Sequence, residues 1–94
     1  MSAKIEVEEI GAEEFRVRVI EAKSETSHRV TLKAADYERI ASGKTDRAEL
    51  VRRSFEFLLE HEPKESILPS FDLTLISRYF PNYEREIKRR LAAS

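Results

Sequence analysis

The sequence contains no cysteine, which excludes a whole group of structures and reactions. Without cysteine a chain has no disulfide bond, no thiolate nucleophile and no cysteine-based metal site. The chain also lacks any apolar run close to the ~20 residues that a membrane span requires. Its first residues do not show the basic-then-apolar pattern of a secretion signal. We therefore expect a cytoplasmic protein.

Neither sign of charge is in excess. Seventeen Lys and Arg residues stand against eighteen Asp and Glu residues, for a formal net charge of −1. Proteins that bind nucleic acid through bulk electrostatics are usually much more basic, so such a role would need a local patch. With 40% apolar and 37% charged residues, we expect one small domain over residues 1–94, with a core and a strongly hydrated surface.

Residues that carry chemistry are few and scattered. The two histidines, His28 and His61, have no carboxylate or second histidine at ligand spacing. Residues 43–45, Gly-Lys-Thr, resemble the end of a phosphate-binding loop, but the upstream glycine is missing. No pair of carboxylates stands out in an apolar context, where a raised pKa would suggest acid–base catalysis. We therefore predict no catalytic residue, no metal site and no cofactor.

Three segments of the first third alternate between apolar and polar residues, which is typical of half-buried strands. They cover residues 4–10, 14–20 and 27–33. A three-residue loop at 11–13 places apolar residues opposite apolar ones and opposite charges across from each other. The predicted cross-strand pairs are Ile5 with Val19, Glu6 with Arg18, Val7 with Val17, and Glu8 with Arg16. The register of the second hairpin, which turns through residues 22–25, stays open.

The remaining two thirds carry helical patterns. Helices are predicted at about residues 35–41, 46–61, 71–80 and 82–92. Gly43 can provide a left-handed end for the first of these helices. Asp46 with Glu49 can cap the second, and Ser70 can cap the third. The predicted fold is α+β: a three-stranded antiparallel sheet packed on one face by the long helix, followed by a C-terminal helical pair.

The long helix is apolar around an unusually wide arc of roughly 200°, where a helix covering one neighbour needs only ~100°. Its apolar positions are Ala48, Leu50, Val51, Phe55, Phe57, Leu58 and Leu59. Such a helix needs cover on two sides, by its own sheet and by either a second layer or another subunit.

Aromatic residues cluster near the C-terminus, in the sequence Tyr-Phe-Pro-Asn-Tyr at residues 79–83. The segment 66–81 is similar to the tails of small bacterial proteins of no known function, and this likeness implies no activity. Together with the wide arc, the cluster favours a non-catalytic interaction or regulatory domain that forms a homodimer. The predicted interface residues are Leu50, Phe57, Phe71, Tyr79, Phe80 and Tyr83.

An alternative comes from residues 28–32, His-Arg-Val-Thr-Leu, followed by the basic start of the long helix at 46–53. This order of strand, short helix and longer helix resembles the ribbon-helix-helix family of DNA-binding regulators and antitoxins. In that family a strand enters the major groove and pairs with the strand of a second copy. The resemblance implies that Arg29, Thr31 and Lys33 face the DNA bases and that Thr45 or Asp46 lies near the DNA backbone.

Overall fold

The computed structural model describes residues 3–93 and shows an α+β fold. The first half contains strands β1 (Lys4–Glu9), β2 (Glu14–Glu21) and β3 (Ser24–Thr31), then helices α1 (Ala34–Ala41) and α2 (Arg47–His61). The second half contains strand β4 (Ser70–Asp72) and helices α3 (Ile76–Tyr79) and α4 (Tyr83–Ala93). Single 3₁₀ turns lie at Lys64–Ser66 and Leu73–Leu75. No helix in this part of the chain combines the length and apolarity needed to cross a membrane.

The first hairpin has the predicted register. Val7 lies opposite Val17 and Ile5 opposite Val19. The charged pairs on the other face also form: Arg18 donates to Glu6 at 2.9 Å and Arg16 donates to Glu8 at 3.1 Å. The inward side chains Phe15, Val17 and Val19 are buried in the core. The predicted register is therefore confirmed. Its physical reason is that a one-residue slip would expose the apolar side chains that β2 now buries.

The second hairpin is tighter than the sequence suggested. Glu21 pairs with Ser24 across a two-residue turn, and β3 begins at Ser24 rather than at residue 27. It also ends at Thr31, two residues before the predicted end. Residues 24–27 are polar, so the sequence shows no apolar alternation there. Backbone pairing with β2, and not the burial of apolar side chains, holds this part of β3 extended.

The sheet has a fourth strand that was not predicted. Residues 70–72, which we assigned to a helix capped by Ser70, instead run parallel to β3, with Phe71 beside Val30. The Arg29 amide donates to the Pro69 carbonyl oxygen at 2.8 Å. The helical part starts only after Asp72, whose carboxylate accepts from the Thr74 amide. The open edge of β3 supplies backbone partners here, and the sheet is therefore four-stranded and mixed, in the order β1-β2-β3-β4.

The wide apolar arc of α2 is covered from two sides by the same chain. Phe55 faces the sheet, with ring centroids 5.4 Å from His28 and 6.0 Å from Phe71. Phe57 faces the C-terminal region and packs against Tyr83 at 5.5 Å. The stripe Tyr83, Ile87 and Leu91 of α4 is buried. The sequence left open whether a second layer of the same chain or another subunit covers the other side of α2. In the structure, α4 of the same chain covers it.

The start of α2 and the end of α1 are each stabilised by residues next to them in sequence. The Asp46 carboxylate accepts from the Glu49 amide at 2.8 Å, as predicted for the start of α2. Glu49 also accepts from Arg53 one turn later at 2.8 Å. Helix α1 ends in two left-handed residues, Ser42 with a φ of 49° and Gly43 with a φ of 74°. Gly43 therefore takes the second left-handed position, and Ser42 takes the first.

Candidate interaction groove

Two large apolar side chains are exposed within residues 3–93: Leu68, with 42% of its surface accessible, and Tyr79, with 66%. Both line the same depression, of about 240 Å³, which we call the apolar groove. Its lining consists of Leu58, Glu62, Ser66, Ile67, Leu68, Phe71, Leu75, Ile76, Tyr79 and Phe80. Large apolar residues are therefore exposed on this part of the chain at one place only, which is typical of an interaction surface rather than of random surface composition.

The two walls of the groove come from different parts of the chain. One wall is the connector at residues 62–68, and the other runs from Leu75 to Phe80. Phe80 is held in place by an edge contact with Phe57 at 5.7 Å and by stacking on His61 at 4.9 Å. The groove wall around Phe80 is therefore anchored to α2.

The connector wall is fixed by side chains of the sheet. The Lys64 ammonium is buried and donates to Glu21 at 2.7 Å and to Ser24 at 2.6 Å, and the hydrogen bond to Glu21 raises the pKa of Lys64. His28 Nδ1 donates to the Leu68 carbonyl oxygen at 2.8 Å. The backbone of Leu68 is thus bound while its side chain projects outward. A surface that is already ordered loses less conformational entropy when a partner binds.

A second depression of about 510 Å³ lies beside β1 and the C-terminal half of α2, and its charged residues are already paired except for Glu62, which lines both depressions. Arg52 donates to Glu56 at 2.7 Å, and Glu60 accepts from Arg90 at 2.7 Å. Glu21 is bound to Lys64. Most charged side chains of this larger depression are therefore already bound to charges of the same chain. The apolar groove is the better candidate for a binding site.

The six predicted interface residues divide into two groups of three. Leu50, Phe57 and Tyr83 are at most 1% exposed and belong to the core of the single chain, so they are not part of the surface. Phe71, Tyr79 and Phe80 all line the apolar groove. The correction has a simple physical reason: α4 and the sheet together cover both sides of α2.

Seven of the ten residues that line the groove were not predicted as interface residues, and Leu68, Leu75 and Glu62 are three of them. Ile67 in the connector is buried, whereas its neighbour Leu68 is exposed. Leu75 falls in the predicted helix at 71–80, and Glu62 directly follows the predicted helix at 46–61. The sequence assigns a function to neither residue. The proline after Leu68 predicts an extended backbone there, but it does not indicate which side chain turns inward.

The proposed base-contacting residues lie on or beside the open, polar face of the sheet. Arg29 and Lys33 are exposed, and Thr31 is half-buried. Strand β3 pairs with β2 on one side, and β4 pairs with its residues 29–31 on the other, so the part of β3 that carries Arg29 and Thr31 has no open edge for the strand of a second copy. Lys33 lies 3.8 Å from Asp72, and Arg16, beside Arg29, is paired with Glu8.

The two histidines are engaged in packing. Because a carbonyl oxygen only accepts, His28 Nδ1 carries the hydrogen for Leu68, and Nε2 lies 2.8 Å from the Thr26 hydroxyl. His61 at the end of α2 contacts the rings of both Phe57 and Phe80. Among residues 3–93, no three His, Asp or Glu side chains are grouped so that they could hold a metal ion.

Comparisons with family models, with curated proteins and with solved structures give no match for this chain. The resemblance to ribbon-helix-helix proteins and the likeness of the C-terminal segment therefore stay predictions. The functional argument depends on the groove itself.

Proposed function

We propose that the chain is a non-catalytic, cytoplasmic protein-interaction domain that forms a homodimer through the apolar groove. The observation that carries the proposal is the position of Leu68 and Tyr79, which are both exposed and lie on the same groove. A further support is that Phe71, Tyr79 and Phe80, half of the interface expected from the sequence, line it as well.

Burial of these side chains provides a driving force for association. Full burial of a large apolar side chain contributes about 1.5–3 kcal/mol, and Leu68 and Tyr79 retain about half of that area for a partner to cover. A two-fold axis repeats each contact, so both copies would contribute both residues. Tyrosine is enriched at interface centres because it offers a large, rigid apolar surface with a polar tip.

The proposal is tested by the mass of the protein in solution. We expect a dimeric mass by light scattering at micromolar concentration, and a monomeric mass when Leu68→Ser and Tyr79→Ser are combined. Both side chains are at the surface, so circular dichroism should show an unchanged fold. Ile20→Ser, on the open face of the sheet, is the matched control and should stay dimeric. A monomeric wild-type protein at micromolar concentration would contradict the proposal.

DNA binding through β3 is the second candidate, and one observation favours it. Arg29 is exposed and makes no ion pair within residues 3–93, so its guanidinium could bind a phosphate or a base. Its surroundings give less support, because acidic residues compensate the neighbouring cations and β4 occupies the edge that a ribbon would need. We therefore place homodimerisation through the groove first.

A further inference from the structure

One charged residue in the apolar groove is left without a partner. Glu62 is half-buried, lines the groove, and forms no ion pair or side-chain hydrogen bond within residues 3–93. Its amide donates to the Leu58 carbonyl at the C-terminal end of α2. Glu62 is therefore the residue that caps the negative end of the helix dipole, where a cation would be favoured and an anion is not.

A partner that covers the groove must also neutralise the charge of the Glu62 carboxylate. Covering an unpaired charge costs free energy unless the partner brings an opposite charge to it. The occupant of the groove should therefore be an apolar surface that carries a cation beside its apolar contacts.

A second copy of this chain has such a cation. Arg78 lies in α3 immediately before Tyr79, is exposed, and forms no ion pair within residues 3–93. Most arginines of the chain are different in this respect, since Arg16, Arg18, Arg39, Arg52, Arg53, Arg89 and Arg90 all bind carboxylates of the same chain. Glu62 belongs to the connector wall, whereas Arg78 does not line the groove itself and lies next to Tyr79 of the opposite wall, the α3 wall.

We propose that the groove binds a second copy of the chain and that Arg78 of each copy pairs with Glu62 of the other. The inference rests on the proposed homodimer and adds its orientation. With a two-fold axis that runs along the groove, the connector wall of one copy faces the α3 wall of its partner, and the symmetry gives two identical ion pairs. Tyr79 then enters the apolar part of the partner's groove beside Leu68.

The test is a charge-reversal cycle measured by sedimentation equilibrium. Glu62→Arg and Arg78→Glu should each raise the dimer dissociation constant by about tenfold, since each change replaces two attractive contacts with two repulsive ones. The combined variant should return to within about threefold of the wild type, because the pairs form again with exchanged signs. Glu38→Arg and Lys44→Glu, at exposed positions without ion pairs, are the matched controls for net charge and should leave the constant unchanged.

The outcomes separate this inference from the homodimer itself. If the single reversals leave the dissociation constant unchanged while Leu68→Ser with Tyr79→Ser still gives monomers, the ion pair is overturned and the groove dimer stands. If both single reversals weaken the dimer and their combination does not restore it, the reciprocal pairing is overturned. A wild-type protein that stays monomeric overturns both proposals.

Discussion

At the scale of single residues, the buried polar side chains that the structure describes all have hydrogen-bond partners. Within residues 3–93, no buried side-chain nitrogen or oxygen lacks a hydrogen-bond partner. Ser54 donates to the Leu50 carbonyl at 2.8 Å, and its oxygen also lies 2.5 Å from the Tyr83 hydroxyl, which links α2 to α4. Burial raises the pKa of the Tyr83 phenol, so this group stays protonated and bonded well into the alkaline range. Polar residues inside this molecule join elements together.

His28 gives a test of this role. His28→Ala removes the donor to the Leu68 carbonyl and the packing on Phe55, and we expect the free energy of unfolding to fall by about 2 kcal/mol. His28→Asn keeps a donor near the position of Nδ1 and should recover part of the loss. Urea unfolding followed by circular dichroism measures both variants. An alanine variant as stable as the wild type would show that the connector does not depend on this contact.

At the scale of elements, an ion pair joins α1 to the start of α4. Arg39 donates to Glu84 at 2.7 Å and to Asp36, within its own helix, at 2.7 Å. The hydrogen bonds from Arg39 lower the pKa of Glu84, against the opposing effect of partial burial. Glu84 also lies in the first turn of α4, where the helix dipole favours a negative charge. The position of α4 over α2 thus has an electrostatic component as well as the apolar stripe.

This ion pair predicts part of the acid sensitivity. Because the pKa of Glu84 is lower in the folded state, its contribution is present above about pH 4.5 and is lost as the pH falls, when the unfolded chain binds the proton first. We expect Glu84→Gln to reduce stability at pH 7 and to lose less further stability between pH 5 and pH 3 than the wild type. Thermal unfolding at each pH measures the difference. Glu38→Gln, on the exposed side of α1, is the control and should follow the wild type.

At the scale of the whole molecule, apolar residues have two separate uses. One set, which includes Leu50, Phe57 and Tyr83, holds the sheet, α2 and α4 together inside one chain. The other set, which includes Leu68 and Tyr79, lies around the groove and is left partly exposed by the fold. Stability and association should therefore respond to different substitutions.

Leu50 and Leu68 provide the comparison. Leu50→Ala leaves a cavity in a fully buried site and should lower the free energy of unfolding by about 3 kcal/mol. Leu68→Ser should change it by no more than about 0.5 kcal/mol and should weaken the dimer instead. Denaturant unfolding at a concentration where the protein is monomeric isolates the first effect, and light scattering isolates the second. If Leu50→Ala weakened association as strongly as Leu68→Ser, the assignment of Leu50 to the core would be contradicted.

Local signals were enough to predict much of this fold. The alternation of β1 and β2, the register of their hairpin and the Asp46 cap of α2 all depend on residues close in sequence or on one shared periodicity. Residues 70–72 are different, since their extended form depends on the free edge of β3, some forty residues away. The same applies to Leu68, because the sequence does not indicate on which side of an anchored backbone a leucine will lie.

The sequence by itself thus determined the class of the fold, most helix and strand positions, and the need to cover α2 on two sides. Only the tertiary structure decided that α4 provides the second cover and that the remaining apolar surface gathers around one groove. The physical reason is that periodicity reports how much apolar area an element must bury, whereas the identity of its partner depends on contacts between distant segments. The apolar area left uncovered by those contacts is the surface through which we propose that this chain binds a second copy.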